Sequence, residues 1–171
     1  MTSSAKITVT LVSSDGHEFE VAIKAATQST LIKNMLDDLG VSDKIPLYNV
    51  NSVTLAKVME YCQKHADHDE AAKTETDIAV IGAGAANGVA MEELKQWDAE
   101  FLKVENQLLF DIILAANYME IAGLLDSSCQ AVADMIKGKS PEEIRRTFNI
   151  KNDFTPEEEE QNRRDCQWAF D

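Results

Sequence analysis

The sequence predicts an α/β domain, mostly helical, with a small N-terminal sheet and two extra helices at its C-terminal end. Three observations predict it. Strand-like alternation is confined to the N-terminal part, where Ile7, Val9 and Leu11 alternate with Thr8, Thr10 and Val12. Beyond it, apolar residues recur mostly at helical spacing. The chain also carries two helix starts of one design, Ser140-Pro141-Glu142-Glu143 and Thr155-Pro156-Glu157-Glu158. In each, Ser or Thr caps free amides, Pro fits the first helical position, and Glu at the third closes a capping box.

Taken in order, the first strand covers Lys6 to Val12, Ser13-Ser14-Asp15-Gly16 is a turn, and a second strand lies around Phe19 to Ile23. Ser29 to Leu39 places Ile32, Met35, Leu36 and Leu39 at helical spacing before Gly40, a C-terminal stop. Ile45-Pro46-Leu47 is at most a short edge strand, since Pro cannot donate to a ladder. Asn51 caps a helix from Ser52 to His65, whose Val53, Leu55, Val58, Met59 and Cys62 fall mostly on one face. From Ala66 to Met91 periodicity disappears into an acidic, then Gly- and Ala-rich composition, which reads as a flexible insertion.

Helical pattern resumes from Glu92 to Leu102, with Leu94, Trp97, Phe101 and Leu102 available for burial. Leu108 to Ala116 is apolar around nearly the whole helix, so it is expected to be the most buried element. Ile121 to Lys137 has a broad apolar arc, one part for the core and another for a partner. The predicted organisation is a domain in two parts, 1–65 and 92–138, interrupted by the insertion 66–91 and followed by the helices of 139–171. In that last stretch Phe148, Ile150, Phe154, Trp168 and Phe170 have few apolar neighbours in sequence and look like half of an interface.

A chain of 171 residues is about one domain's worth, with 44% apolar and 27% charged residues. No run reaches the length of a membrane span and the first residues carry no apolar signal region, so no membrane association or export is expected. The net charge of −14 argues against nucleic acid, whose phosphates are met by clustered Lys and Arg, and favours protein partners, some of them basic. Cys62, Cys129 and Cys166 form neither a disulfide framework nor a zinc motif, which suits a reducing compartment.

No constellation carries convincing chemistry. Gly82, Gly84 and Gly88 resemble a dinucleotide fingerprint, but the third glycine is one position late and no βαβ unit surrounds them, so no cofactor is expected. His65-Ala66-Asp67-His68-Asp69-Glu70 offers metal-ligand types, yet His65 and His68 share a face only if the helix continues, so a solvated helix end is the better reading. No thiol sits beside an imidazole or at a helix start, and no Gly-x-Ser-x-Gly or phosphate loop occurs. The run from Glu157 to Glu160 suits a first helical turn, with Arg163 and Arg164 at i+4 from Glu159 and Glu160. No catalytic role is expected.

At Asn117-Tyr118-Met119-Glu120-Ile121, Met135-Ile136-Lys137-Gly138-Lys139, Pro141-Glu142-Glu143-Ile144-Arg145-Arg146, Thr147 to Thr155 and Gln167-Trp168, the chain resembles the S-phase kinase-associated (Skp) adaptor family. Ser13 to Gly16 and Val50-Asn51 also match, and the ending Trp168-Ala169-Phe170-Asp171 is similar to plant members. The resemblance implies a BTB/POZ-type α/β fold followed by two C-terminal helices. It further implies a non-enzymatic adaptor, of nucleus and cytoplasm, that bridges a cullin scaffold and its RING subunit to F-box proteins, the substrate receptors of SCF ubiquitin ligases.

By the same resemblance Asn117 and Tyr118 face the cullin, helped by the helix carrying Ile32 and Met35. Leu125, Cys129, Val132 and Ile136, followed by Phe148, Ile150, Phe154 and Trp168, face the F-box. The chain departs from the family at Tyr48, which replaces a Pro, and at Leu108, Ala122 and Cys166, which replace Thr, Lys and Asn. Ala122 lies near the cullin-facing pair, so the alternative is a diverged paralogue that binds F-box proteins in non-ligase assemblies.

Overall fold

The computed structural model describes residues 8–39, 44–78 and 84–165, and of 39, 72–78 and 84–90 the backbone alone. It divides into two compact units, Met1–Met135 and Ile136–Asp171.

The first unit begins with an antiparallel hairpin of β1 (Thr8–Ser13) and β2 (Glu18–Ala22), in which Leu11 pairs with Phe19 and Val9 with Val21. Alternation is visible as burial, with Val9 and Leu11 in the core between more exposed neighbours. Gly16, at φ +82°, takes the left-handed turn position that glycine accepts without strain. The expected second strand ends before Ile23, because α1 (Ile23–Ala26) starts there and sinks Ala25 and Ala26 against α3. These small side chains let the two helices approach closely.

Ser29 caps α2 (Thr30–Leu39), and β3 (Ile45–Leu47) then pairs parallel to β1. The sheet order is β2-β1-β3, which puts Pro46 on an edge strand where its missing N–H is tolerated. Asn51 Oδ1 accepts the Thr54 N–H at 2.9 Å and starts α3 (Ser52–Ile78). The Asp15 carboxylate accepts the Ser52 N–H at 2.9 Å and its hydroxyl at 2.5 Å, stapling the hairpin turn to that helix start. Hydrogen bonds from the Ser13 and Ser52 side chains hold the Asp15 carboxyl far below the usual carboxylate range.

The helix α3 does not end at His65. It runs on to Ile78, and α4 (Gly84–Phe101) starts inside the glycine-rich stretch, so much of the expected insertion is helical. Periodicity reports a buried face, and past Ala66 there is little to bury: Asp67, Asp69, Glu70 and Ala71 are exposed. Polar ties hold the extension instead, from Lys24 to Glu70, Gln28 to Asp69 at 3.2 Å, and His65 Nε2 to Asp98 Oδ1 of α4 at 2.8 Å. The His65–Glu70 group is thus engaged in structural pairs, and no cluster of three metal-ligating side chains occurs among the described residues. No helix among them is long and apolar enough to cross a membrane.

The core gathers Leu11, Ile45, Leu47, Leu55, Val58 and Ile112 around α5 (Asn106–Tyr118). The expectation of an all-round buried α5 is corrected. Leu109, Ile112, Ala115 and Ala116 face inward, but Leu114 is 67% exposed and Phe110 37%. Val53, assigned to the apolar face of α3, is likewise 65% exposed. The unit closes within α6 (Ala122–Ile136), whose last residue already counts to the second unit; α6 buries Leu124 and Ser128, the latter donating its hydroxyl to the Leu124 carbonyl at 2.7 Å.

The second unit consists of α7 (Pro141–Phe148) and α8 (Pro156–Asp165). Ser140 and Glu143 form the reciprocal capping box that the sequence promises, and Asn149 ends α7 at φ 53°, the left-handed cap. The second box forms too: Glu158 N–H donates to Thr155 Oγ1 at 3.3 Å, and Thr155 N–H to Glu158 Oε2 at 2.9 Å. Neither helix has a buried residue.

Candidate partner-binding surfaces

The first surface lies where α2 meets the α5–α6 turn. Ser29 Oγ donates to the Met119 carbonyl at 2.5 Å, and Thr30 N–H donates to the Glu120 carbonyl at 3.4 Å. Asn117 is exposed there and Tyr118 half-buried, its ring packed on the core. Met35 is half-buried on α2, but Ile32 has no exposed surface at all. Ile32 is therefore a core residue that anchors α2, not a contact residue. Helical spacing groups it with Met35, and only the packed structure separates the inward from the outward member.

Phe110 and Leu114 belong to the run whose sequence predicts burial, yet both reach the surface. They precede Tyr118 by two turns and one turn, so the three share a stripe of α5 with two apolar side chains open to solvent. The spacing was legible, but the completeness of the apolar run suggested burial on all sides. An exposed apolar stripe that adjoins a polar pair is the composition of an interface.

The second surface runs along the outer side of α6. Leu125 and Val132 are half-buried against the core, while Cys129 is exposed, as is Ile136 at 38%. The adjacent face of the helix carries Leu124 and Ser128 inward, so the outer row is what the broad apolar arc leaves over. Cys129 is consequently an accessible thiol. Cys62, by contrast, lies in the core, and burial pushes its thiol up to about 12.

The second unit presents its own apolar residues: Phe148 is half-buried, Ile150 54% exposed and Phe154 47% exposed. Phe154 is held by the Arg145 guanidinium, 5.9 Å from the ring centroid. Arg145 also reaches Glu159 at 3.3 Å, and Asn152 donates to the same Glu159 oxygen at 3.0 Å, so α7, the connecting loop and α8 meet at one carboxylate. Between the helices is a cavity of about 350 Å³ lined by Pro141, Arg145, Phe154, Glu159 and Asn162. Arg164 takes its expected partner Glu160 at 3.1 Å, whereas Glu159 is drawn to Arg145 and Arg163 lies 4.0 Å from Glu142. Trp168 and Cys166 lie outside the described residues.

Among the described residues, none of these surfaces combines a nucleophile, a base and an orienting partner, while each exposes apolar side chains that a partner could bury. Similarity to known proteins gives them a family. The profile of the "Skp1 family, tetramerisation domain" matches residues 7–67, and that of the "Skp1 family, dimerisation domain" matches 122–169. SKP1-like protein 20 of Oryza sativa subsp. japonica is 53% identical over 99% of this chain and 98% of its own length. SKP1-like protein 1A of Arabidopsis thaliana is 54% identical over 95% of this chain and 97% of its own. A fungal relative in Aspergillus fumigatus, named E3 ubiquitin ligase complex SCF subunit sconC, is 51% identical over 95% and 98%. Its sequence, its small N-terminal sheet and its two appended helices together place this chain in the Skp1 family, with a BTB/POZ-type fold.

Proposed function

We propose that this chain is the adaptor subunit of an SCF ubiquitin ligase, without catalysis of its own, bridging a cullin scaffold to F-box substrate receptors in the nucleus and cytoplasm. Family membership and a relative named as an SCF subunit support the role. The observation that carries it is the outer row of α6, Leu125, Cys129, Val132 and Ile136, with Ile150 and Phe154 standing open on a unit whose helices bury nothing. Burial of such anchors against a helical F-box is helix-in-groove recognition, to which the acidic surface adds steering more than affinity.

The cullin belongs to the other surface, at Asn117, Tyr118 and Met35. The test is a pull-down with both partners: Tyr118→Lys weakens cullin binding and spares the F-box, while Val132→Asp or Trp168→Ala does the reverse. Equal loss of both partners in every variant counts against the assignment. A second reading, a paralogue serving F-box proteins outside ligases, is favoured by Ala122, exposed just after the Asn117-Tyr118 pair at a position where the family resemblance leads one to expect Lys. Robust ubiquitin transfer with a cullin and a RING subunit removes that reading.

A further inference from the structure

One buried hydroxyl joins two elements that the sequence sets ninety residues apart. Ser29 has no exposed surface, and its Oγ both accepts the Ile32 N–H at 3.2 Å, capping α2, and donates to the Met119 carbonyl. The adjacent Thr30 N–H takes the next carbonyl, that of Glu120. Glu120 itself sits at φ 53°, in the left-handed region, a conformation that a residue with a side chain keeps only where surrounding bonds over-determine it. Those bonds are the clamp from Ser29 and Thr30 and the closing bond from Ile121 N–H to the Ala116 carbonyl at 2.9 Å. Asn117 and Tyr118 stand on the helical end of this turn.

We infer that Ser29 and the backbone N–H of Thr30 position the scaffold-binding surface: they hold the strained Met119-Glu120 turn, and through it Asn117 and Tyr118, in register with α2, the buried Ser29 without touching the partner. The inference rests on the assignment of the cullin to that surface. An N-cap with no further role would act on the cullin only through α2 and its Met35, and would leave the amides of 117–121 exchanging as before. A clamp on the turn loosens those amides as well, and spares the F-box residues, which stand on α6 and beyond.

Two substitutions separate these cases in the full chain. Ser29→Gly keeps a residue accepted at an N-cap but removes the donor to Met119. Thr30→Pro keeps the first helical position, where proline is tolerated, and deletes the bond to Glu120; because the Thr30 side chain is exposed, Thr30→Ala, which trims it and keeps the N–H, is the control and should bind the cullin normally. Affinities for a cullin and for an F-box protein are measured side by side, with Tyr118→Lys as the reference and hydrogen exchange read at 117–121. We expect each clamp variant to bind the cullin about tenfold more weakly, the F-box to change by less than about twofold, and the turn amides to exchange faster.

If Tyr118→Lys loses the cullin while both clamp variants bind it normally, the inference is overturned and the surface assignment stands. If Tyr118→Lys binds normally, the assignment itself is wrong. Equal loss of cullin and F-box in the clamp variants marks general damage and also overturns the inference. Should Ser29→Gly fail to fold, Thr30→Pro decides alone.

Discussion

At the scale of single residues, the second unit is held by caps rather than by a core. Asn149 ends α7 in the left-handed region, which costs residues other than Gly and Asn about 1 kcal/mol or more. Asn149→Ala should therefore loosen α7 by about that amount, and Asn149→Gly should not, as read by amide exchange at Ile150, whose N–H donates to the Arg145 carbonyl. Glu143 and Glu158 make pH the second probe. Hydrogen bonds from the backbone N–H groups of Ser140 and Thr155, and then from their side chains, lower both carboxyls from their ordinary 4.5. A group depressed in the folded state stabilises it above its unfolded value and loses that effect as pH falls through the folded one. Helicity over 141–165 should be constant above about pH 4.5 and decline below it, ahead of the β1–α3 core, in a circular-dichroism and NMR titration. The capping residues were fully legible in sequence because a cap is a local device. The opposite holds for Ile32, whose inward placement depends on core residues that arrive from the rest of the chain.

At the scale of elements, α5 separates the two meanings of an apolar residue. Ile112→Ala should cost about 2–5 kcal/mol, since its side chain is wholly buried, whereas Leu114→Ser should change stability by less than about 0.5 kcal/mol. Denaturant unfolding of the two variants checks the contrast. Sequence placed this helix and its inner residues, but a run apolar on every side does not say which side awaits a partner. The long α3 was illegible for another reason: its extension is set by pairs such as Gln28 with Asp69 and His65 with Asp98, which no local pattern announces. β1, β3 and α2 follow from short-range rules, and among the described residues they lie within one residue of where those rules put them, β1 running on to Ser13, which pairs with Leu47 instead of opening the turn.

For the whole molecule, the contrast between the units predicts how the chain responds to a partner. The first unit has a continuous core, while α7 and α8 bury no residue. Amides of 141–165 should exchange much faster than those of α3 and α5 in the free chain and become protected when an F-box binds. Full protection of 141–165 in the free chain would remove the idea that these helices await a partner. A net charge of −14 adds a rate effect: association with basic partner surfaces should slow as salt rises, with little change in dissociation. Stopped-flow measurements at two ionic strengths test this.

The left-handed backbone at Glu120 also makes a statement about which sequences the fold accepts. A turn that demands positive φ filters side chains by shape at Cβ before it filters them by charge. In a library randomised at that one position and selected only for folded chain, glycine and asparagine should accumulate and valine, isoleucine and threonine vanish. The acidic character of the native residue would leave no trace in such a selection, so any return of glutamate under selection for assembly would measure what its carboxylate contributes beyond the turn.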